Sequence, residues 1–186
     1  MATARSYLTL EEFLRLPEEE PPLEYEDGRI TQKVSPQNQH AVVQGELTTW
    51  INAHARPRKI AFAFPELRTT HANSSLVPDI AVLRWARIPR NASGEVANDT
   101  SLVPDIAVEI TSPEQSAASL VAKCRRYLAN GADRALLVDL QARTVRWFGQ
   151  GRQEQVLRGA DRIDLDLVLP GFELTVDQVF AALKVD

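Results

Sequence analysis

The chain has 186 residues, a formal net charge of −4, 44% hydrophobic and 25% charged residues, the make-up of an ordinary globular protein. A negative balance excludes a nonspecific nucleic-acid coat, which needs a basic surface, and leaves room only for a local basic cleft. The single cysteine, Cys124, excludes an internal disulfide.

These features fit a reducing, cytoplasmic setting. "MATARSYLTLEEFL" lacks the apolar core of a signal peptide, and no later run is long enough to span a bilayer. The sequons at Asn73, Asn91 and Asn98 are then accidental. The length suits one domain over residues 1–186 with a proper core.

In chain order, Thr9-Leu-Glu-Glu12 has the form of a capping box, opening a short helix that Pro17 ends. "EEEPP" is a charged, stiff connector. "LEYEDGRITQKV" reads as a hairpin turning at Asp27-Gly28, where positive φ is required. After Ser35-Pro36 a helix is expected over residues 37–55, with Val43, Leu47, Trp50 and Ile51 as its apolar stripe. "IAFAFPELRTT" and "LVPDIAVLR" read as strands separated by the turn-rich "HANSS". Residues 85–101 read as a loop. A second "LVPDIAV" strand follows, then a helix over 114–130 with Gly131 at its C-terminal end. "RALLVDL" is a strand covered on both faces. "TVRWF" and "QEQVLRG" form a hairpin around Gly149–Gly151, and a Pro170-Gly171 turn leads to a last helix over 175–183. The order predicts α/β architecture, a mixed sheet flanked by helices with additional antiparallel hairpins.

"LVPDIAV" occurs twice, at residues 76–82 and 102–108. Nothing else recurs at that period, so the copies are not units of a solenoid. Side chains alternate along a strand. Asp79, Ala81 and Leu83 therefore share one face, and Asp105, Ala107, Glu109 and Thr111 share another. If the strands pair antiparallel, Asp79 meets Glu109 or Thr111. Asp105 then falls at the far end, roughly 13 Å from Glu109. Two carboxylates so joined repel unless a cation or proton intervenes, and hard oxygen ligands suit Mg²⁺ or Mn²⁺. The alternative is that both aspartates shape the turn after proline while Glu109 pairs with an arginine.

The ordered series "TLEEFLRLP", "EYEDGRI", "SPQNQH", "FPELR", "VPDIAV", "PDIAVEITSP", "KCRRYLANGADRALLVD" and "LPGFELTVDQVF" covers most of the chain. It resembles the Uma-type restriction endonuclease family of the PD-(D/E)XK, or restriction-endonuclease-like, nuclease superfamily. The resemblance implies a central mixed sheet, a divalent metal (Mg²⁺ or Mn²⁺) and hydrolysis of DNA phosphodiester bonds. It implies Asp79 and Glu109 as catalytic acids and metal ligands, and Lys123 as the catalytic lysine. The usual lysine two residues after the second acid is absent, Thr111 standing there. The family's lysine has moved to the next helix, where Lys123 matches. Two departures are Ser119, where relatives commonly carry an acid, and Arg134-Ala135-Leu136, where they often carry an aromatic pair.

The expected mechanism has Asp79 and Glu109, with the Ile110 carbonyl, on one ion, and Lys123 orienting water or offsetting phosphate charge. Tyr127, four residues on, shares its helical face. Glu66 has two readings, a further ligand or a strand-edge ion pair. Glu46 is expected in solvent. His40 has a structural reading at the helix start and a phosphate-contacting one. Arg84, Arg87 and Arg90 around Trp85, with Arg125-Arg126, are candidate phosphate contacts or a solvated face. DNA affinity should be modest and salt-sensitive, and a homodimer would widen the footprint. No nucleophile elbow, phosphate loop or cysteine pair competes. Two rivals stand: a nuclease fold that binds without turnover, and a metal-dependent phosphohydrolase acting on RNA or small phosphates.

Overall fold

The structure is a computed structural model describing residues 8–113 and 115–185. The capping box forms: the Glu12 amide donates to Thr9 Oγ1 (3.2 Å) and the Thr9 amide to Glu12 Oε2 (2.8 Å). It opens α1 (Leu10–Leu14), which buries Phe13. The hairpin β1 (Leu23–Glu26) and β2 (Arg29–Gln32) turns on Asp27 and Gly28, with φ 48° and 87°. It belongs to a four-stranded antiparallel sheet of order β2-β1-β5-β4, completed by β4 (Thr69–His71) and β5 (Ser74–Leu76).

Helix α2 (Asn38–Ala55) precedes β3 (Ala61–Pro65). The expected continuous strand "IAFAFPELRTT" is broken: Glu66 takes φ 51°, and the chain passes from β3 into the other sheet at β4. A proline followed by a left-handed residue cannot extend a ladder, so "FPE" is a corner. The first "LVPDIAV" is likewise divided. Leu76 ends β5, and Ile80 opens β6 (Ile80–Arg84). After a 3-10 turn at residues 85–87 and the loop, β7 (Ile106–Ile110) takes up the second copy. Helix α3 (Ala117–Ala129) is shorter than expected; position 114 of the predicted helix lies outside the described residues, as do residues 1–7 and 186. β8 (Arg134–Asp139), β9 (Thr144–Gly149), β10 (Gln155–Leu157) and α4 (Val176–Ala181) follow.

The six-stranded sheet has the order β10-β9-β8-β7-β6-β3. Only β7 and β8 run parallel, linked by α3 as the crossover that parallel pairing demands. Alternation then builds two cores. Val108, Ile110, Leu136 and Val138 pack on one face with Val43, Leu47 and Ile51 of α2 and Phe180 of α4. Ala107, Ala135 and Leu137 pack on the other with Leu120, Cys124 and Tyr127 of α3. Each fully buried aliphatic side chain contributes ~1.5–3 kcal/mol. Among the described residues no helix is long and apolar enough to cross a membrane. The mixed α/β class expected from the sequence is what the chain adopts.

Candidate active site

β6 and β7 pair antiparallel with Ile80 opposite Val108 and Val82 opposite Ile106. One step beyond the register, Asp79 reaches Glu109's end of β7, where its Oδ2 accepts the Ile110 amide at 2.7 Å. Asp105 lies at the other end. Its Oδ2 accepts the Arg84 amide (2.7 Å), and its Oδ1 pairs with the Arg84 and Arg87 guanidiniums. The twin motifs therefore do different work: the second aspartate clamps a loop, and the first joins a cluster.

That cluster forms where the two sheets meet. Glu109 is buried on the α3 side, where its Oε1 receives the Tyr127 hydroxyl (2.8 Å) and lies 2.9 Å from Lys123 Nζ. The four-residue spacing of Lys123 and Tyr127 brings both to one oxygen, as their shared helical face requires. Lys123 Nζ also contacts Glu24 Oε1 at 2.7 Å, and that oxygen accepts the Val77 amide at 2.6 Å. On Asp79, Oδ1 meets Lys33 Nζ at 2.7 Å, and Oδ2 meets His40 Nε2 at 3.0 Å. Lys33 further pairs with Glu66 Oε2 (2.8 Å), whose other oxygen accepts from Gln44 (2.8 Å).

The structure thus brings together the three residues carried by the resemblance. Lys123 touches Glu109, and Asp79 is joined to the same strand end through the Ile110 amide. Of the two readings of Glu66, the structure shows an ion pair, with Lys33. Glu46 is exposed as expected. His40 does more than open a helix: it holds Asp79, and its Nδ1 is buried with no partner among the described residues. Glu24 and Lys33 were missed. Both lie in a hairpin segment whose alternating polar residues read as solvent-facing, and only Lys33's burial, 9% exposed, distinguishes it from a surface lysine.

Charge in this cluster is strongly perturbed. Burial pushes the Glu109 carboxyl up, and the Asp79 charge adds to this against Lys123, to about 7. Burial would also raise Asp79, but the His40 hydrogen bond and the Lys33 ammonium outweigh it and hold Asp79 well below the usual carboxylate range. Burial lowers Lys123 and Lys33, yet their carboxylate partners win, and both are held above the ordinary lysine value. Tyr127 is raised by burial and by Glu109.

Two clefts flank this cluster. One, of about 520 Å³, is lined by Lys33, His40, Glu66 and Asp79; the other, of about 1040 Å³, runs past His40, Thr111, Ser112 and the start of α2. Neither is lined by Glu109 or Lys123, which lie behind Asp79 and Lys33. The candidate phosphate contacts are otherwise engaged. Arg84 and Arg87 turn inward to Asp105, Arg90 stacks on Trp85, Arg125 pairs with Glu154, and Arg126 pairs with Glu26 and Asp27.

Among the described residues no group of three or more His, Cys, Asp or Glu side chains is arranged to hold a metal ion. Magnesium needs less, since it is commonly held by one or two carboxylates with waters and phosphate oxygens filling the octahedron. Asp79 and Glu109 are the two carboxyls that the resemblance would place on such an ion. Around them the carboxyls of Glu24, Glu66, Asp79 and Glu109 share the ammoniums of Lys33 and Lys123. The donor chemistry fits a hard divalent cation.

The Uma2 family model, described as "Putative restriction endonuclease", matches residues 10–177. A crystal structure of "a putative nuclease belonging to DUF820" from Anabaena variabilis ATCC 29413 matches with a TM-score of 0.92 and 36% identity, covering 95% of this chain and 99% of that one. A chain of a DrdV–DNA complex is far more distant, with 14% identity and a TM-score of 0.37 over 75% of this chain and 11% of that one. No curated protein matches the sequence. With a family model spanning nearly all of its elements and a solved relative of the same fold, this chain belongs to the Uma2 family.

Proposed function

We propose that the chain is a metal-dependent endonuclease hydrolysing DNA phosphodiester bonds, with Asp79 and Glu109 holding Mg²⁺ or Mn²⁺ and Lys123 assisting. The observation that carries this reading is the β6–β7 pairing, which sets Asp79 beside the end of β7 that bears Glu109, with Lys123 and Tyr127 of α3 on the Glu109 carboxylate. When bound, a divalent ion there supplies Lewis-acid charge to the scissile phosphate and lowers the pKa of water. The chain's own residues do the positioning. His40 and the Ile110 amide fix one Asp79 oxygen, and Tyr127 fixes Glu109. Glu24 keeps Lys123 charged and aimed, so its ammonium offsets charge developing on the phosphate. DNA as substrate rests on the family description and on the relative described as a nuclease.

One observation favours a second reading, a nuclease fold that binds without turnover: the ammoniums of Lys33 and Lys123 already neutralise Asp79 and Glu109. A cleavage panel separates the readings. Supercoiled plasmid, single-stranded DNA, RNA and nucleotides are incubated with the protein and Mg²⁺ or Mn²⁺. Metal-dependent nicking of plasmid is the expected result. Cleavage confined to RNA or nucleotides moves the activity to the phosphohydrolase class, and no cleavage of any substrate favours the binding module.

A further inference from the structure

Lys33 has no counterpart in the motif set that carries the family resemblance, yet it is a central charge of the cluster. A lysine is almost never buried unless paired. This one has a side chain 6% exposed, with its Nζ 2.7 Å from Asp79 Oδ1 and 2.8 Å from Glu66 Oε2. Gln44 fixes the far oxygen of Glu66, and the Lys33 amide donates to the Pro22 carbonyl at 3.0 Å, so both ends of the residue are anchored. The other Asp79 oxygen already serves His40 and the Ile110 amide. Oδ1 is therefore the oxygen left for a cation, and the Lys33 ammonium is on it. Lys33 also lines the cleft through which Asp79 is reached, whereas Glu109 lies behind.

We propose that Lys33 holds the cation position on Asp79 in the resting protein and that a divalent ion binds only by displacing it, which makes Lys33 a built-in competitor that sets the metal affinity of the site. The inference rests on the metal-dependent reading above and adds to it. The physical basis is competition at short range. An ammonium left within a few ångströms of a divalent ion repels it strongly, and an ammonium that leaves gives up two buried ion pairs. Either route weakens metal binding, and removing the ammonium removes the penalty.

The test is a Mn²⁺ titration of the full chain, followed by the electron paramagnetic resonance signal of free Mn²⁺, with far-UV circular dichroism to verify folding. Wild type is compared with Lys33→Met and Lys33→Gln, each also combined with Asp79→Asn. Gln is included because it retains a polar partner for Asp79 should the Met variant not fold. Both Lys33 variants are expected to bind Mn²⁺ tighter than wild type by roughly tenfold or more, and the added Asp79→Asn change to abolish the gain. If both Lys33 variants bind as weakly as wild type while Asp79→Asn still abolishes binding, the competitor role is overturned and the metal site stands. If no protein binds Mn²⁺, or binding survives Asp79→Asn, the metal reading itself falls and this inference with it.

Discussion

Glu109 and Asp79 are neighbours that burial raises alike, yet their net shifts are opposite because His40 and Lys33 hold Asp79 down. Burial pushes the Glu109 carboxyl from an ordinary 4.5 up to about 7. Its contribution to stability is therefore fully present below its unfolded value and is lost as pH rises through about 7. Asp79 is depressed below its ordinary 3.8, so its contribution is present above that value and disappears as pH falls through the lowered one. The melting temperature of wild type should decline between about pH 4.5 and about pH 7 on account of Glu109, and Glu109→Gln should flatten that decline. A variant whose melting curve keeps the wild-type slope would show that the buried carboxyl titrates elsewhere. At this scale the sequence was only partly legible. Asp79, Glu109 and Lys123 stood out through strand alternation and family motifs. Glu24 and Lys33 did not, because a hairpin's polar residues face solvent by default, and nothing in "LEYEDGRITQKV" tells that Lys123 and Asp79 come to meet them.

At the level of elements, the two copies of "LVPDIAV" make a controlled comparison. Both aspartates follow Val-Pro and both are buried. Antiparallel pairing sends them to opposite ends of the β6–β7 ladder, one to the charged cluster and one to Arg84 and Arg87. Asp105→Ala leaves the Arg84 amide unpaired and removes one carboxylate partner from the Arg84 and Arg87 guanidiniums, a loss of roughly 2–4 kcal/mol of stability, measurable by urea unfolding. Its effect on Mn²⁺ binding should be nil. The sequence offered this pairing only as a supposition, since nothing local fixes the register of strands joined across residues 85–105; period-two alternation supplied its consequence, Asp79 beside Glu109 and Asp105 at the far end. The corner at Glu66 was not legible. "FPELRTT" has the composition of a strand throughout, and only the left-handed backbone at Glu66 sends the second half to another sheet. Helix α2 was plain because Val43, Leu47 and Ile51 recur on one face and all are buried.

For the whole molecule, charge decides how nucleic acid can be held. The chain carries −4, and most of the arginines that could grip phosphates are committed to carboxylates. Binding to duplex DNA should be modest and salt-sensitive: a plot of log Kd against log salt concentration should have the slope of about two or three phosphates, at about 0.9 per phosphate. A slope equivalent to about six or more would reveal a basic surface at odds with this charge distribution. The α/β class was legible from element order, and the separation into two sheets was not, since strand partners distant in sequence leave no local mark. Asp79 and Lys123, neither of them in the hairpin, are what turn Lys33 and Glu24 into members of the site.

The most direct test uses one assay and the chain's own repeated motif. Metal-dependent plasmid nicking is measured for wild type, Asp79→Asn and Asp105→Asn, all verified as folded. The pairing of β6 with β7 predicts that Asp79→Asn abolishes nicking while Asp105→Asn retains it. Equal nicking by wild type and Asp79→Asn, or its loss only in Asp105→Asn, would contradict the assignment of the active centre to the Asp79–Glu109 end of the strands.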